Sequence, residues 1–187
     1  MKIKYYVIVV YLDNLRCFFK NCIITPYMKA ATVIQLKKEL ETLNEDHLKQ
    51  LCLRLARFKI ENKELLTYLL FESEDEAFYI EGIKEQTDQL FEEINTKSYF
   101  YIKKSVRKIL RLLKKYARYS NSKETEVELL IYYCYKLQTL KPSINNNLTL
   151  TNIYLKQIEN IEKKIIKLHE DLQFDFREKL EQLNLKH

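Results

Sequence analysis

An all-α fold is predicted for this chain by three observations: glycine and proline are nearly absent, apolar residues recur at helical spacing, and capping residues stand at the corners between. The 187 residues include one glycine, Gly82, and two prolines, Pro26 and Pro142. Tight turns, β-bulges and phosphate-cradling loops lean on glycine, which alone enters positive φ freely. A chain that nearly lacks it must turn its corners with Asn and Ser, and such corners suit helices better than hairpins. The hydrophobic fraction of 47% is ordinary for a globular protein, and the length fits one domain with a sizeable core. The expectation is a single all-α domain of six or seven antiparallel helices, a bundle or a short α-solenoid, with a long C-terminal helix.

The organisation predicted along the chain is a leader over 1–27, a helical domain over 28–140, a loop over 141–151 and the long helix over 152–187. The leader has no amphipathic period and contains neither Glu nor Ala. Its apolar run, Tyr5 to Leu12, falls well short of the ~20 residues that span a bilayer. Asp13 follows at once, and no small-x-small cleavage site is present, so a signal peptide is the weakest reading. Met28 opens "MKAATVIQLKKELETL", which is helical immediately, and it is read as the natural start. The net charge is +6, of which the leader carries +3, so the remainder is only mildly basic.

From Ala31 the pattern is helical nearly throughout. A short first helix runs to about Leu43. Asn44 is a good N-cap for a second, with Glu45 and Asp46 where the helix dipole favours anions and a stripe of Leu48, Leu51, Cys52, Leu55 and Phe58. A third carries Leu65, Leu66, Leu69 and Leu70. Ser73 with Glu76 reads as a capping box for a fourth, whose stripe is Ala77, Ile80, Ile83, Thr87, Leu90, Phe91 and Ile94. "NTKS" breaks the pattern before a basic helix with Ile102, Val106, Ile109, Leu110, Leu113 and Ala117 inward. "SNS" is the next corner, and Ser122 caps a sixth helix with Val127, Leu130, Ile131, Cys134 and Leu137 on its core face. "KPSINNN" is the clearest loop. In the last segment Ile158, Ile161, Ile165, Leu168 and Leu172 step by heptad spacing. Packing along its own domain is the simpler reading; a homo-oligomer seam made by these five residues is the sharper one.

The stretches "ENKELLTYLLFE", "KKSVRKILRLLKKYARYS" and "KETEVELLIYYC" resemble a family of small helical bacterial proteins with no assigned function. The resemblance covers about 28–140, and such proteins tend to begin near the position of Met28. It implies the fold and the start, and no activity, cofactor or site.

Familiar chemistries find no foothold. Phosphate loops need glycines, and Gly82 sits alone inside a helical pattern. None of His47, His169 and His187 has a Glu three residues earlier, as a di-iron bundle requires, and no H-E-x-x-H occurs. The cluster "ESEDE" at a helix start more simply answers the dipole than a cation. Cys17, Cys22, Cys52 and Cys134 form no C-x-x-C pair and read as buried free thiols of a reducing, cytosolic compartment. No metal, cofactor, membrane contact or enzymatic activity is therefore expected. The 14 tyrosines, Tyr116 and Tyr119 among them, read as half-buried filler more readily than as base-stacking platforms.

Two binding surfaces remain. One is a protein-contact surface on an exposed helical groove or the tail helix, and it is the preferred function. The alternative is nucleic-acid binding through Lys103, Lys104, Arg107, Lys108, Arg111, Lys114, Lys115 and Arg118, which form one stripe opposite the apolar face. The segment from Glu72 to Glu93 carries net −8. A short corner joins it to the basic helix, so the two are expected to pair their charges and cancel much of the outward field.

Overall fold

The computed structural model describes residues 29–184. The leader, the start at Met28, Cys17, Cys22 and His187 lie outside the described residues. Eight α-helices follow one another: α1 (Val33–Glu41), α2 (Glu45–Phe58), α3 (Ile60–Thr67), α4 (Glu76–Glu92), α5 (Tyr99–Ser120), α6 (Lys123–Thr139), α7 (Leu148–Ile165) and α8 (Glu170–Asn184). A π-helical turn, Tyr68–Glu72, extends α3, and a 3-10 turn, Ile144–Asn146, leads into α7. No strand occurs among the described residues, so the fold is all-α.

The chain divides into two units, 1–52 and 53–187. In the first, α1 opens on a complete capping box. The Thr32 hydroxyl accepts from the Gln35 N–H, and the Gln35 side chain accepts from the Thr32 N–H. Asn44 caps the start of α2, accepting from the His47 N–H at 2.9 Å. Neither α1 nor α2 buries a single residue.

In the second unit the core is continuous from Tyr68 to Leu183. α6 is its axis and packs against α4, α5, α7 and α8. That position explains its sequence: Leu129 and Leu130, and Tyr133 with Cys134, are buried as adjacent pairs, which a helix covered on one face could not do. Antiparallel order is marked by bonds between opposite ends. Tyr79, early in α4, donates to the Tyr116 carbonyl late in α5 at 3.1 Å. Lys164, late in α7, pairs with Glu126, early in α6, at 2.6 Å. Ser122 caps α6, and Asn121 turns the preceding corner with φ 57° in the left-handed region that Asn tolerates.

Three expectations need correcting here. The cap of α4 is Asp75, whose carboxylate accepts from the Phe78 N–H; Ser73 instead closes the π turn, and Glu76 turns inward. The tail is two helices rather than one, broken over 166–169. The Gln173 amide donates to the Ile166 and Leu168 carbonyls that the break leaves free, and the bend lets Ile165, Leu168, Phe176, Leu180 and Leu183 share one core. Finally, Cys52 is exposed, and only Cys134 of the two described thiols is buried, with its pKa pushed up to about 12 by desolvation.

Candidate functional site

Three surfaces of the second unit carry chemistry. The first is the outer face of α5. Ile102, Val106, Ile109, Leu113 and Ala117 point into the core, which leaves the basic residues outward. Lys104, Arg107, Lys108, Arg111 and Arg118 are exposed, while Lys103, Lys114 and Lys115 are half-buried. The expected pairing with α4 is not made. Among the described residues only Lys115 of the eight is ion-paired, and its partner is Glu64 of α3 at 2.7 Å. The α4 carboxylates that find partners turn to α6, inward, or to Lys84 of α4 itself. Asp88 takes Lys136 at 3.0 Å and the Tyr132 hydroxyl at 2.5 Å. Lys84 of α4 reaches Glu128 of α6 at 2.7 Å. Sequence reasoning placed α4 and α5 side by side correctly. It could not see that α6 would occupy the polar flank of α4.

The proposed oligomer seam is corrected by burial. Ile158, Ile161, Ile165 and Leu168 lie in the core of their own chain, and Leu172 packs against that core half-buried. Side chains already enclosed by α6 and α8 cannot also interdigitate with a second molecule.

The second surface is an apolar groove of about 570 Å³ along the end of α2 and α3. Leu53, Ile60, Leu66, Leu70 and Phe71 line it, with Arg57, Lys59 and Lys63 on its margins. Leu70 is 64% exposed and Phe71 79%. The helical stripe of α3 was legible, but its expected burial was not. The π turn inserts one residue per turn and carries Leu69 to Phe71 outward while Tyr68 turns in.

The third is a cleft of about 510 Å³ bounded by α3 with its π turn, α4 and the end of α5. Glu64 stands at its edge. Burial acts to raise the pKa of this carboxyl, but hydrogen bonds from Lys115 and Tyr119, each at 2.7 Å, outweigh it and hold the pKa below the usual range. Behind the cleft Glu76 gathers three hydroxyls. Tyr68 donates at 2.9 Å and Thr125 at 2.5 Å, and Ser120 donates as well. Again burial opposes ionisation, and the hydroxyls prevail, so its pKa is lowered. Of this site the sequence singled out Tyr116 and Tyr119 among the tyrosines and Glu72 in an acidic cluster, without joining them. Gly82, the one residue of its kind, is a signal that could have pointed here.

Among the described residues no group of three or more His, Cys, Asp or Glu side chains converges as a metal site would require, and no helix is long and apolar enough to cross a membrane. No family model, curated protein or solved structure matches this chain.

Proposed function

We propose that the protein is a helical binding module that works through protein contacts, with the groove along α2 and α3 as its docking surface. The observation that carries this reading is the exposure of large apolar side chains there. Ile60, Leu70 and Phe71 line the groove and are each more than 60% exposed, and apolar surface of this kind marks interaction sites. The basic margin of Arg57, Lys59 and Lys63 selects the partner's chemistry. An amphipathic helix with an apolar stripe flanked by Asp and Glu fits such a groove. A photo-crosslinking amino acid at position 71, expressed in the native host, tests it. The expected result is a discrete protein adduct that survives nuclease and disappears when Leu70→Glu and Lys63→Glu are added. An adduct at twice the mass of the chain would identify a second copy as the occupant. Labelling no stronger than from position 155 on α7 would remove the proposal.

One further observation favours a second surface, the unpaired ridge of α5. From Lys104 to Arg118 it runs about 21 Å at 1.5 Å per residue, enough to follow several phosphates. Retention of the full chain on immobilised single-stranded DNA should fall with salt, with a logarithmic slope no steeper than about −3.5 if the five exposed cations each release a counterion. Replacing Lys104, Lys108 and Arg111 by Glu should abolish retention without lowering the unfolding midpoint. Retention unchanged by that triple substitution would exclude the ridge.

A further inference from the structure

We propose that the cleft between the π turn, α4 and the end of α5 binds a small organic cation bearing an alkyl- or quaternary ammonium group. Its walls are aromatic: Tyr68, Phe78, Tyr79, Tyr116 and Tyr119 all line it. Three of the tyrosine hydroxyls are already committed, Tyr68 to Glu76, Tyr79 to the Tyr116 carbonyl and Tyr119 to Glu64. Tyr68 and Tyr79 are buried, so the ring surface open to a ligand is that of Phe78, Tyr116 and Tyr119, and the face of an aromatic ring attracts cations. The rings pack on one another in two pairs, one buried and one at the half-buried rim. Tyr68 and Tyr79 have centroids 4.6 Å apart, and Tyr116 and Tyr119 are 6.0 Å apart.

Charge points the same way. Glu64, Glu72 and Glu85 line the cleft and no Lys or Arg does. Glu64 is neutralised by Lys115, so Glu72 and Glu85 supply the charge an incoming ammonium would meet. The protein itself demonstrates the chemistry at the margin. The Lys115 ammonium lies 5.0 Å from the centroid of Tyr116 while pairing with Glu64. An anion would meet two unneutralised carboxylates, and a neutral apolar ligand would leave them unused.

Gly82 completes the site. It lines the cleft on α4, and a Cβ built there meets nothing within 4 Å. The glycine is thus not required by close packing, and there is room at this wall for a larger side chain. The volume of about 510 Å³ lies within the range of small-molecule sites.

Because Gly82 is the only glycine in the chain, glycine-selective 15N labelling yields a single amide signal at the cleft. The full chain is titrated with choline, with tetramethylammonium and with 3,3-dimethyl-1-butanol, the uncharged analogue of choline. A saturable shift of the Gly82 signal with both cations and none with the alcohol is the expected result. Glu72→Gln with Glu85→Gln, the first half-buried and the second exposed, should weaken binding about tenfold while the Gly82 signal and the unfolding midpoint persist. Gly82→Leu, followed by calorimetry, should abolish binding by filling the space. An equal response to the alcohol would reduce the cleft to an ordinary apolar depression. No saturable shift at about 10 mM of either cation would overturn the proposal outright.

Discussion

α2 and α6 have similarly apolar sequences and opposite fates. Over Glu45–Phe58 the first places Leu51, Leu53, Leu55 and Phe58 at the surface and buries nothing. Over Lys123–Thr139 the second buries seven residues, Val127, Leu130, Tyr133, Cys134 and Leu137 among them. The difference lies in neighbours. α6 touches four helices, and its outward Glu126, Glu128, Tyr132 and Lys136 are each fixed by a partner on α4 or α7. α2 has an amphipathic stripe of which no residue is buried. Helical periodicity therefore reports that a face wants cover; it does not report whether the same chain supplies it.

The largest way to break that contrast is to attack the axis. Leu137 is fully buried on α6, and Leu137→Ala removes its methyls while leaving a cavity bounded by rigid helices. A loss of about 2–5 kcal/mol in urea unfolding is expected. A loss below 1 kcal/mol would mean that the core around α6 collapses readily, and that it is no tighter than the α2 surface.

Next in size is the polar junction at Glu76. Glu76→Ala leaves the Tyr68, Ser120 and Thr125 hydroxyls without their acceptor, and about 1–3 kcal/mol should be lost. The pH dependence has a definite sign. The folded pKa is depressed below the ordinary 4.5, so the unfolded chain binds the proton more readily. Stability from this group is fully present above about pH 4.5 and is lost as pH falls through the lower folded value. Glu64 contributes in the same direction. Glu76→Gln should flatten the acid limb of the stability curve between pH 5 and 3, measured by thermal unfolding across that range.

The same contrast marks what the sequence disclosed. Corners were legible because they depend on local chemistry. Asn44, Asn121 and Ser122 act where their spacing placed them. The α4, α5 and α6 stripes were legible because a 3.6-residue period fixes which face turns inward, except that Ala77 of the expected α4 stripe is exposed and Tyr79 is buried. The cap at Asp75 was missed because Ser73 and Glu76 satisfy a capping pattern that tertiary hydroxyls then overrode. The break at 166–169 carries no Gly or Pro, so only the shared core of α7 and α8 dictates it. The tyrosine cleft gathers residues from three helices, a juxtaposition that no local pattern encodes.

Gly82 offers a smaller test with the opposite sign. Glycine within a helix is less favourable than alanine by about 0.5–1 kcal/mol, and here an added Cβ meets no atom within 4 Å. Gly82→Ala should raise the unfolding midpoint by about that stabilisation. A destabilised variant would show that α4 needs the glycine.

The smallest effect is expected where the contrast is sharpest. Leu55 is 59% exposed and Phe58 76%, on a helix that buries no residue. Leu55→Ala and Phe58→Ala should each change stability by no more than about 0.5 kcal/mol, as ordinary surface positions do. Alanine also has higher helix propensity than phenylalanine, which pushes Phe58→Ala toward neutrality or slight gain. The comparison with Leu137 is then direct, because chemically similar truncations differ several-fold in cost only if burial differs. Measured on the dilute full chain, a loss above about 2 kcal/mol at either position would place that side chain in a packed environment. A loss that grows with protein concentration would show instead that the stripe is covered when copies of the chain associate, since subunit binding adds to stability by mass action.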